Sequence, residues 1–257
     1  MINYTNFNVE NSVKKLVNIH EDRTCVIIGS GPSLNESYHF LKYAEEHNFL
    51  LLGTNQTLFD THFNLDYHFL GDLTAFSKFK LAKDKYINSS VKKSKIWFGS
   101  CVQTISARCR KRRNNQVLSN DILKYLKKCE QNDERWLILD KINNRTGLIS
   151  PVRPNKALKH STIFIVLEFA LIMGFKKIYL VGCDCTGTNI YRPHEVMNYY
   201  DHTNKVSKLI EGWNLMYKFV KSYYPEVEIY SVNPVGLRDM IPEDLNIKHM
   251  YENCDSK

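Results

Sequence analysis

Thr24-Cys-Val-Ile-Ile-Gly29 runs without a break into Ser30-Gly31-Pro32-Ser33-Leu34-Asn35, and an amphipathic pattern then continues to His47. The apolar run reads as a strand buried in a parallel sheet, and the residues after it as a tight turn at a helix start. Outward-facing N–H groups in such a turn favour an anion, so Gly29, Ser30, Gly31, Pro32 and Ser33 are candidates to seat a phosphate. A plainer reading stands beside it, in which Gly31 and Pro32 reverse the chain and Ser33 caps the helix. The turn lacks the third small residue of G-x-G-x-x-G and the Lys-Ser/Thr of a Walker loop.

The same alternation recurs along the chain. Leu50 to Gly53, Tyr67 to Gly71, Lys95 to Phe98, Lys177 to Gly182 and Glu228 to Ser231 read as further strands. Helical patterns cover roughly Leu34 to His47, Ser119 to Gln131, Thr162 to Met173 and Asn204 to Tyr224. Strands alternating with helices predict an α/β domain with a doubly wound, mostly parallel sheet. Residues 1–257 are expected to form one Rossmann-like domain, with residues 100–155 as an insertion and 183–203 as a lid. The apolar run Trp136 to Leu139 falls inside that insertion.

Composition narrows the function classes. At 257 residues and 43% hydrophobic content the chain can bury a proper core. No run approaches the ~20 apolar residues of a membrane span, and Met1 to His20 is too polar for a secretory signal, so a cytoplasmic location is expected. Seven cysteines, scattered and odd in number, argue against a disulfide framework. Cys183 and Cys185 form a C-x-C pair without two further zinc ligands at readable spacing, and they read as structural thiols. The net charge of +8 is concentrated in Lys92, Lys93, Lys95 and in Arg108, Arg110, Lys111, Arg112 and Arg113. That run reads as a solvated loop or as an element facing a polyanion such as an anionic membrane. It lacks the interleaved aromatics of a single-strand nucleic-acid binder.

In an open parallel sheet, ligands bind beyond the carboxyl ends of the strands. Here those ends carry Gly29-Ser30-Gly31, Thr54-Asn55-Gln56, Gly71-Asp72, Gly182-Cys183-Asp184 and Asn233-Pro234. Glycines admit a ligand to the backbone, Asn55 and Gln56 offer amides, and Asp72 and Asp184 offer carboxylates. Ser161 and Thr162 can cap the apolar helix that follows, with Lys159 just ahead to add positive charge near its N-terminus. After the strand ending at Gly182, the stretch Cys183 to His202 lacks helical periodicity and reads as a lid. Tyr191, His194, Tyr199, Tyr200, Asp201 and His202 give it donors, acceptors and a titratable base.

Taken together, Gly29 to Leu34, Thr54 to Gln56, Ser161 to Asp184 and Tyr230 to Gly236 resemble the bacterial family-42 sialyltransferases. They equally resemble the wider DUF115 group, which includes flagellin-modifying Maf proteins and MptE-like, pterin diphosphokinase-like enzymes. The resemblance implies a variant GT-A, Rossmann-like domain that binds a CMP-sugar without a metal cofactor. It also implies that the Gly29 to Ser33 turn and Asn55 hold the nucleotide, that Ser161 and Thr162 hold its ribose or phosphate, and that Tyr191 contacts phosphate. His202 matches the family's general base, and His194 is the second histidine of the same lid. The chain departs from the sialyltransferase pattern at Lys159, Ile163 and Thr186, and Gly71-Asp72 follows the DUF115 pattern instead.

The function so implied is an inverting transfer of sialic acid or a related nonulosonic acid from a CMP donor. The acceptor is a cell-surface glycan, a lipid-linked glycan or a protein, as in lipopolysaccharide or capsule biosynthesis. No nucleic-acid partner is expected; homo-oligomers and peripheral contact with the inner membrane are compatible with it. No Asp-x-Asp occurs in the chain, in keeping with metal-free transfer. Two alternatives remain open: a diphosphokinase using ATP and Mg²⁺, for which Asp72 and Asp184 would converge on the ion, and a nucleotide- or glycan-binding protein without turnover.

Overall fold

A computed structural model describes residues 16–54, 57, 60, 62–70, 161–185 and 206–253, together with the strand backbones at 95–98 and 136–138. Its strands are β1 (Thr24–Ile28), β2 (Leu50–Thr54), β3 (Tyr67–Leu70), β4 (Lys95–Phe98), β5 (Trp136–Ile138), β6 (Lys177–Val181) and β7 (Glu228–Ser231). Its helices are α1 (Tyr38–Glu46), α2 (Ile163–Ile172), α3 (Val206–Tyr223) and α4 (Leu245–Asn253), with a 3-10 turn at Pro32–Glu36 ahead of α1. The strands form one sheet in the order β5-β4-β3-β2-β1-β6-β7. Every neighbouring pair in it is parallel.

The α/β, doubly wound sheet expected from the sequence is therefore present. Successive strands step outward from β1 to β5, and the chain then returns to lay β6 on the other side of β1. The carboxyl ends of β1 and β6 thus flank the point where strand order reverses. Trp136–Ile138 is the edge strand of this sheet, so the apolar run inside the expected insertion joins the central layer. The expected helix at 119–131, the basic run at 108–113 and the lid beyond Cys185 lie outside the described residues.

Alternation along β1 divides the core. Cys25 and Ile27 pack with α2 and α3 on one face, and Val26 and Ile28 pack with α1 and α4 on the other. α2 reads Ile-Phe-Ile-Val-Leu-Glu-Phe-Ala-Leu-Ile and is buried along nearly its whole length, as expected of a helix apolar on every side. Trp213 of α3 covers it, its indole edge-on to Phe164 at 5.1 Å. Gly174, at φ +88°, ends α2: the Phe175 N–H reaches back to the Ala170 carbonyl in a left-handed cap, and β6 begins three residues later.

α4 is held to the sheet by Asp244, which accepts hydrogen bonds from Tyr179 Oη at 2.7 Å and Lys177 Nζ at 3.1 Å. The same carboxylate caps α4 through the Ile247 N–H. Burial works to raise the Asp244 pKa, but the bonds from Tyr179 and Lys177 outweigh it and hold the group below its ordinary value. A carboxylate with a lowered folded pKa contributes stability above its unfolded value of ~3.9, and that contribution is lost as pH falls through the folded value. Asp244→Ala is accordingly expected to cost about 1–2 kcal/mol at pH 7 and less below pH ~4. Urea melts of wild type and variant across that range check it; an unchanged midpoint at pH 7 rules the clamp out.

Candidate active site at the carboxyl rim of the sheet

The turn after β1 and the end of β6 are in direct contact. The Gly29 N–H donates to the Val181 carbonyl and the Gly31 N–H to the Gly182 carbonyl, both at 2.7 Å. The strands come so close that a Cβ on Gly29 would overlap the Gly182 carbonyl oxygen and lie 2.9 Å from its carbon. Gly182 itself sits at φ +61°, where a side chain is strained, with its own Cβ position 2.6 Å from the Gly29 oxygen.

Asp184, half-buried beyond the end of β6, closes the turn. Its Oδ2 accepts the Ser33 N–H at 2.8 Å and its Oδ1 accepts the Ser33 hydroxyl. The Leu34 N–H goes to the Gly31 carbonyl. The amides of Gly29, Gly31, Ser33 and Leu34 are thus engaged within the chain, so the turn offers a phosphate fewer N–H groups than the sequence suggests. Those four donors go to the carbonyls of Val181, Gly182 and Gly31 and to the Asp184 carboxylate. Burial pushes the Asp184 pKa up, Ser33's two bonds pull it down, and nearby Glu36 pushes it up further; the net shift is upward.

The network continues sideways. Ser37 Oγ donates to the Ser33 carbonyl and receives Asn233 Nδ2, each at 2.9 Å. Asn233 follows β7, so the ends of β1, β6 and β7 are joined through Asp184, Ser33, Ser37 and Asn233. The Cys185 N–H reaches the Val235 carbonyl. Thr54, at the end of β2, donates to the Ile28 carbonyl at 3.0 Å. Cys183 and Cys185 are buried thiols, and burial raises the pKa of both, Cys185 to about 12.

Ser161 and Thr162 stand at the start of α2, where Ser161 Oγ accepts the Ile163 N–H at 3.3 Å and the Thr162 carbonyl starts the helix. α2 runs antiparallel to β6, which it feeds, so its N-terminus lies at the same carboxyl edge of the sheet as that of α1. The two helix starts occupy opposite faces of that edge, since α1 and α2 belong to different halves of the core.

Of the sequence candidates, Gly29, Ser30, Gly31, Pro32, Ser33, Ser161, Thr162 and Asp184 fall at this rim. Asn55, Gln56, Asp72, Lys159, Tyr191, His194 and His202 lie outside the described residues. Sequence reading missed Ser37 as a connector and, close by, the group formed by Tyr38, Asp60 and His62. The signal in each case is faint, a lone serine and an Asp-x-His spacing, because both act through partners distant in the chain. Among the described residues, no three His, Cys, Asp or Glu side chains form a group able to hold a metal ion.

The family model described as 6-hydroxymethylpterin diphosphokinase MptE-like matches residues 1–189. The chain belongs to the MptE-like family. No curated protein matches it. Among solved structures, this MptE-like chain is similar to the sialyltransferase CstII from Campylobacter jejuni. The complex of CstII with the substrate analogue cytidine-5'-monophosphate superposes with TM-score 0.50 at 16% identity, over 88% of this chain and 87% of that one. The complex with CMP-3FNeuAc gives TM-score 0.53 at 13% identity over the same shares. The MAf glycosyltransferase from Magnetospirillum magneticum AMB-1 gives TM-score 0.50 at 9% identity, over 94% of this chain and 40% of that one. At such identities the likeness is one of fold, and it agrees with the superfamily resemblance read from the sequence.

Proposed function

We propose that this MptE-like protein is a glycosyltransferase that moves sialic acid or a related nonulosonic acid from a CMP-activated donor to a hydroxyl of a cell-surface glycan or protein. What carries this reading is the agreement in fold, over nearly the full length of both chains, with a sialyltransferase solved with CMP and with CMP-3FNeuAc. The location of Gly29 to Ser33, Ser161, Thr162 and Asp184 at one edge of the sheet accords with a donor bound there.

In this reaction the acceptor oxygen bonds to the anomeric carbon as the bond to the phosphate oxygen breaks, and CMP leaves with the electron pair. A histidine takes the hydroxyl proton, and His202 and His194 are the candidates from the sequence. With four amides of the glycine turn engaged, the turn serves mainly to position the site, and Lys159, Tyr191 and the start of α2 join it as the phosphate's partners. Transfer needs no metal in this reading. Among the described residues no helix is long and apolar enough to cross a membrane. A cytoplasmic location, peripheral to the inner membrane through Arg108 to Arg113, belongs to the same proposal.

A second reading follows from the family model, whose description names a diphosphokinase. It would use ATP and Mg²⁺. Asp184 offers the ion a carboxylate with both oxygens already bonded to Ser33, so Asp72 would carry most of the coordination.

Melting the protein with CMP, UDP, GDP or ATP, each with and without Mg²⁺, separates the two. A nucleotide at a hundred times its dissociation constant adds about 2.7 kcal/mol, or roughly 5–10 °C for a domain of this size. Stabilisation by CMP regardless of Mg²⁺ is the expected result. Stabilisation by ATP with Mg²⁺ alone would transfer the assignment to the diphosphokinase.

A further inference from the structure

Tyr38, Asp60 and His62 form a polar group at the rim end of α1. Tyr38 is the first residue of that helix, directly after Ser37. Its hydroxyl donates to Asp60 Oδ2 at 2.9 Å. Asp60 Oδ1 accepts both the His62 backbone N–H at 2.9 Å and the imidazole Nδ1 at 2.7 Å. The Asp60 side chain is completely covered, whereas that of His62 is 63% exposed. The imidazole lies over the Tyr38 ring, with centroids 4.4 Å apart.

The Asp60 carboxylate accepts at Nδ1, which leaves Nε2 as the ring nitrogen not engaged by Asp60 on a largely exposed side chain. A buried acid that fixes tautomer and orientation behind an accessible imidazole is the arrangement of a general base. The group lies next to the Ser33–Ser37–Asn233 network that joins the ends of β1 and β7, at the edge of the sheet where open parallel sheets bind their ligands.

We propose that His62, in place of His202 and His194, accepts the proton of the attacking hydroxyl, with Asp60 as its positioning residue. The inference rests on the proposed function only in so far as a hydroxyl is the nucleophile, and the diphosphokinase reading shares that requirement. In sugar transfer, the acceptor O–H proton passes to His62 Nε2 as the oxygen bonds to the anomeric carbon and CMP departs with the electrons of the broken C–O bond. In diphosphate transfer, the same proton passes as the hydroxyl oxygen bonds to the β-phosphorus of ATP and AMP departs. In either case the imidazolium is balanced by the Asp60 carboxylate, with the Tyr38 hydroxyl holding the other carboxylate oxygen.

The competing explanation is local. Asp60 and His62 make an Asx-type turn, and the ring contact would then serve only to pack the loop on α1. The test therefore needs readouts that packing would not move. The full chain and its His62→Ala, His62→Gln, Asp60→Asn and His202→Ala variants are assayed with CMP-sugar and with ATP plus a hydroxymethylpterin and Mg²⁺, from pH 5 to 9.

For whichever substrate the wild type turns over, His62→Ala is expected to lower kcat by about 100-fold or more with KM little changed. It should also abolish the acidic fall-off of kcat/KM, and added imidazole should restore part of the rate. Its melting temperature should stay within about 2 °C of wild type, as for a mostly exposed side chain. Asp60→Asn should lower kcat in the same direction by a smaller factor. Retention of kcat within about threefold in His62→Ala overturns the proposal, as does loss of activity with a lowered melting temperature and no imidazole rescue. Abolition of the acidic fall-off by His202→Ala alone also overturns it. Turnover of ATP in place of CMP-sugar defeats the donor assignment while leaving the His62 readout intact. Turnover of neither defeats both.

Discussion

Gly29→Ala is expected to destabilise the protein by about 3 kcal/mol and to lower its melting temperature by roughly 6–12 °C. The methyl group would overlap the Gly182 carbonyl oxygen, with the Gly182 carbon at 2.9 Å and Cys183 Sγ at 3.3 Å. Two of these three neighbours are backbone, so no rotamer change relieves the clash. The strands must separate where β1 and β6 are paired in register from Thr24 with Lys177 to Ile28 with Val181. Separation breaks the Gly29 and Gly31 bonds to β6 and moves Asp184 away from Ser33. Loss of stability should therefore be accompanied by loss of the nucleotide-induced shift in melting temperature. Urea melts should show a lower midpoint at unchanged slope. A midpoint equal to wild type would mean that the two strand ends lie further apart than this geometry has them.

The contact between Gly29 and Gly182 also marks the boundary of what the sequence could reveal. Both glycines were legible as strand ends, because apolar runs covered on both faces stand out from their flanks. That the two ends would meet each other, and so consume the N–H groups of the turn, depends on the register of β1 with β6 across about 150 residues. Nothing local encodes it. Likewise Leu34 to His47 reads as one helix by periodicity, yet it divides into a 3-10 turn and α1 at Ser37. The Ser37 hydroxyl bonds the Ser33 carbonyl in the manner of a residue that competes with the helix ladder.

Two elements were invisible for other reasons. The three residues of β5 sit among charged and Asn-rich neighbours, and so short an apolar run cannot be assigned to a sheet by its period. α4 exposes Leu245 and Met250, and only Ile247 and Tyr251 pack inward, so its apolar stripe is too narrow to register. Its start is signalled by Asp244, whose longer-range bonds to Lys177 and Tyr179 explain why a helix forms there at all. The pattern at the site is the same: residue types were readable, and the donor–acceptor pairing that decides their roles was not. His62 shows this best, since a histidine two residues after an aspartate acquires meaning only once Tyr38 is seen to hold that aspartate from another element.

Asp184 provides the sharper chemical contrast. Asp184→Ala removes two hydrogen bonds, one of them from a backbone amide to a charged group, and is expected to cost about 2–3 kcal/mol at pH 7. Asp184→Asn should cost less than about 0.5 kcal/mol or stabilise. The amide oxygen can keep the Ser33 N–H, the amide nitrogen can donate to the Ser33 hydroxyl, and no charge then has to be held in a half-buried position beside Glu36. The sign of the pH dependence separates this from a simple loss of packing. Burial raises the folded pKa of Asp184 above its unfolded value of ~3.9, so between the two values the folded state binds more protons than the unfolded chain. Stability contributed at this position therefore declines as pH rises through that window, and stays lower above it. Asp184→Asn should flatten the decline in urea melts recorded from pH 4 to 7. It should also strengthen nucleotide binding, because a negative charge leaves the edge of the sheet where a phosphate would lie. Equal stabilities for the alanine and asparagine variants would show that the carboxylate does not hold Ser33, and with it would fall the account of how β1 and β6 are fastened at this edge.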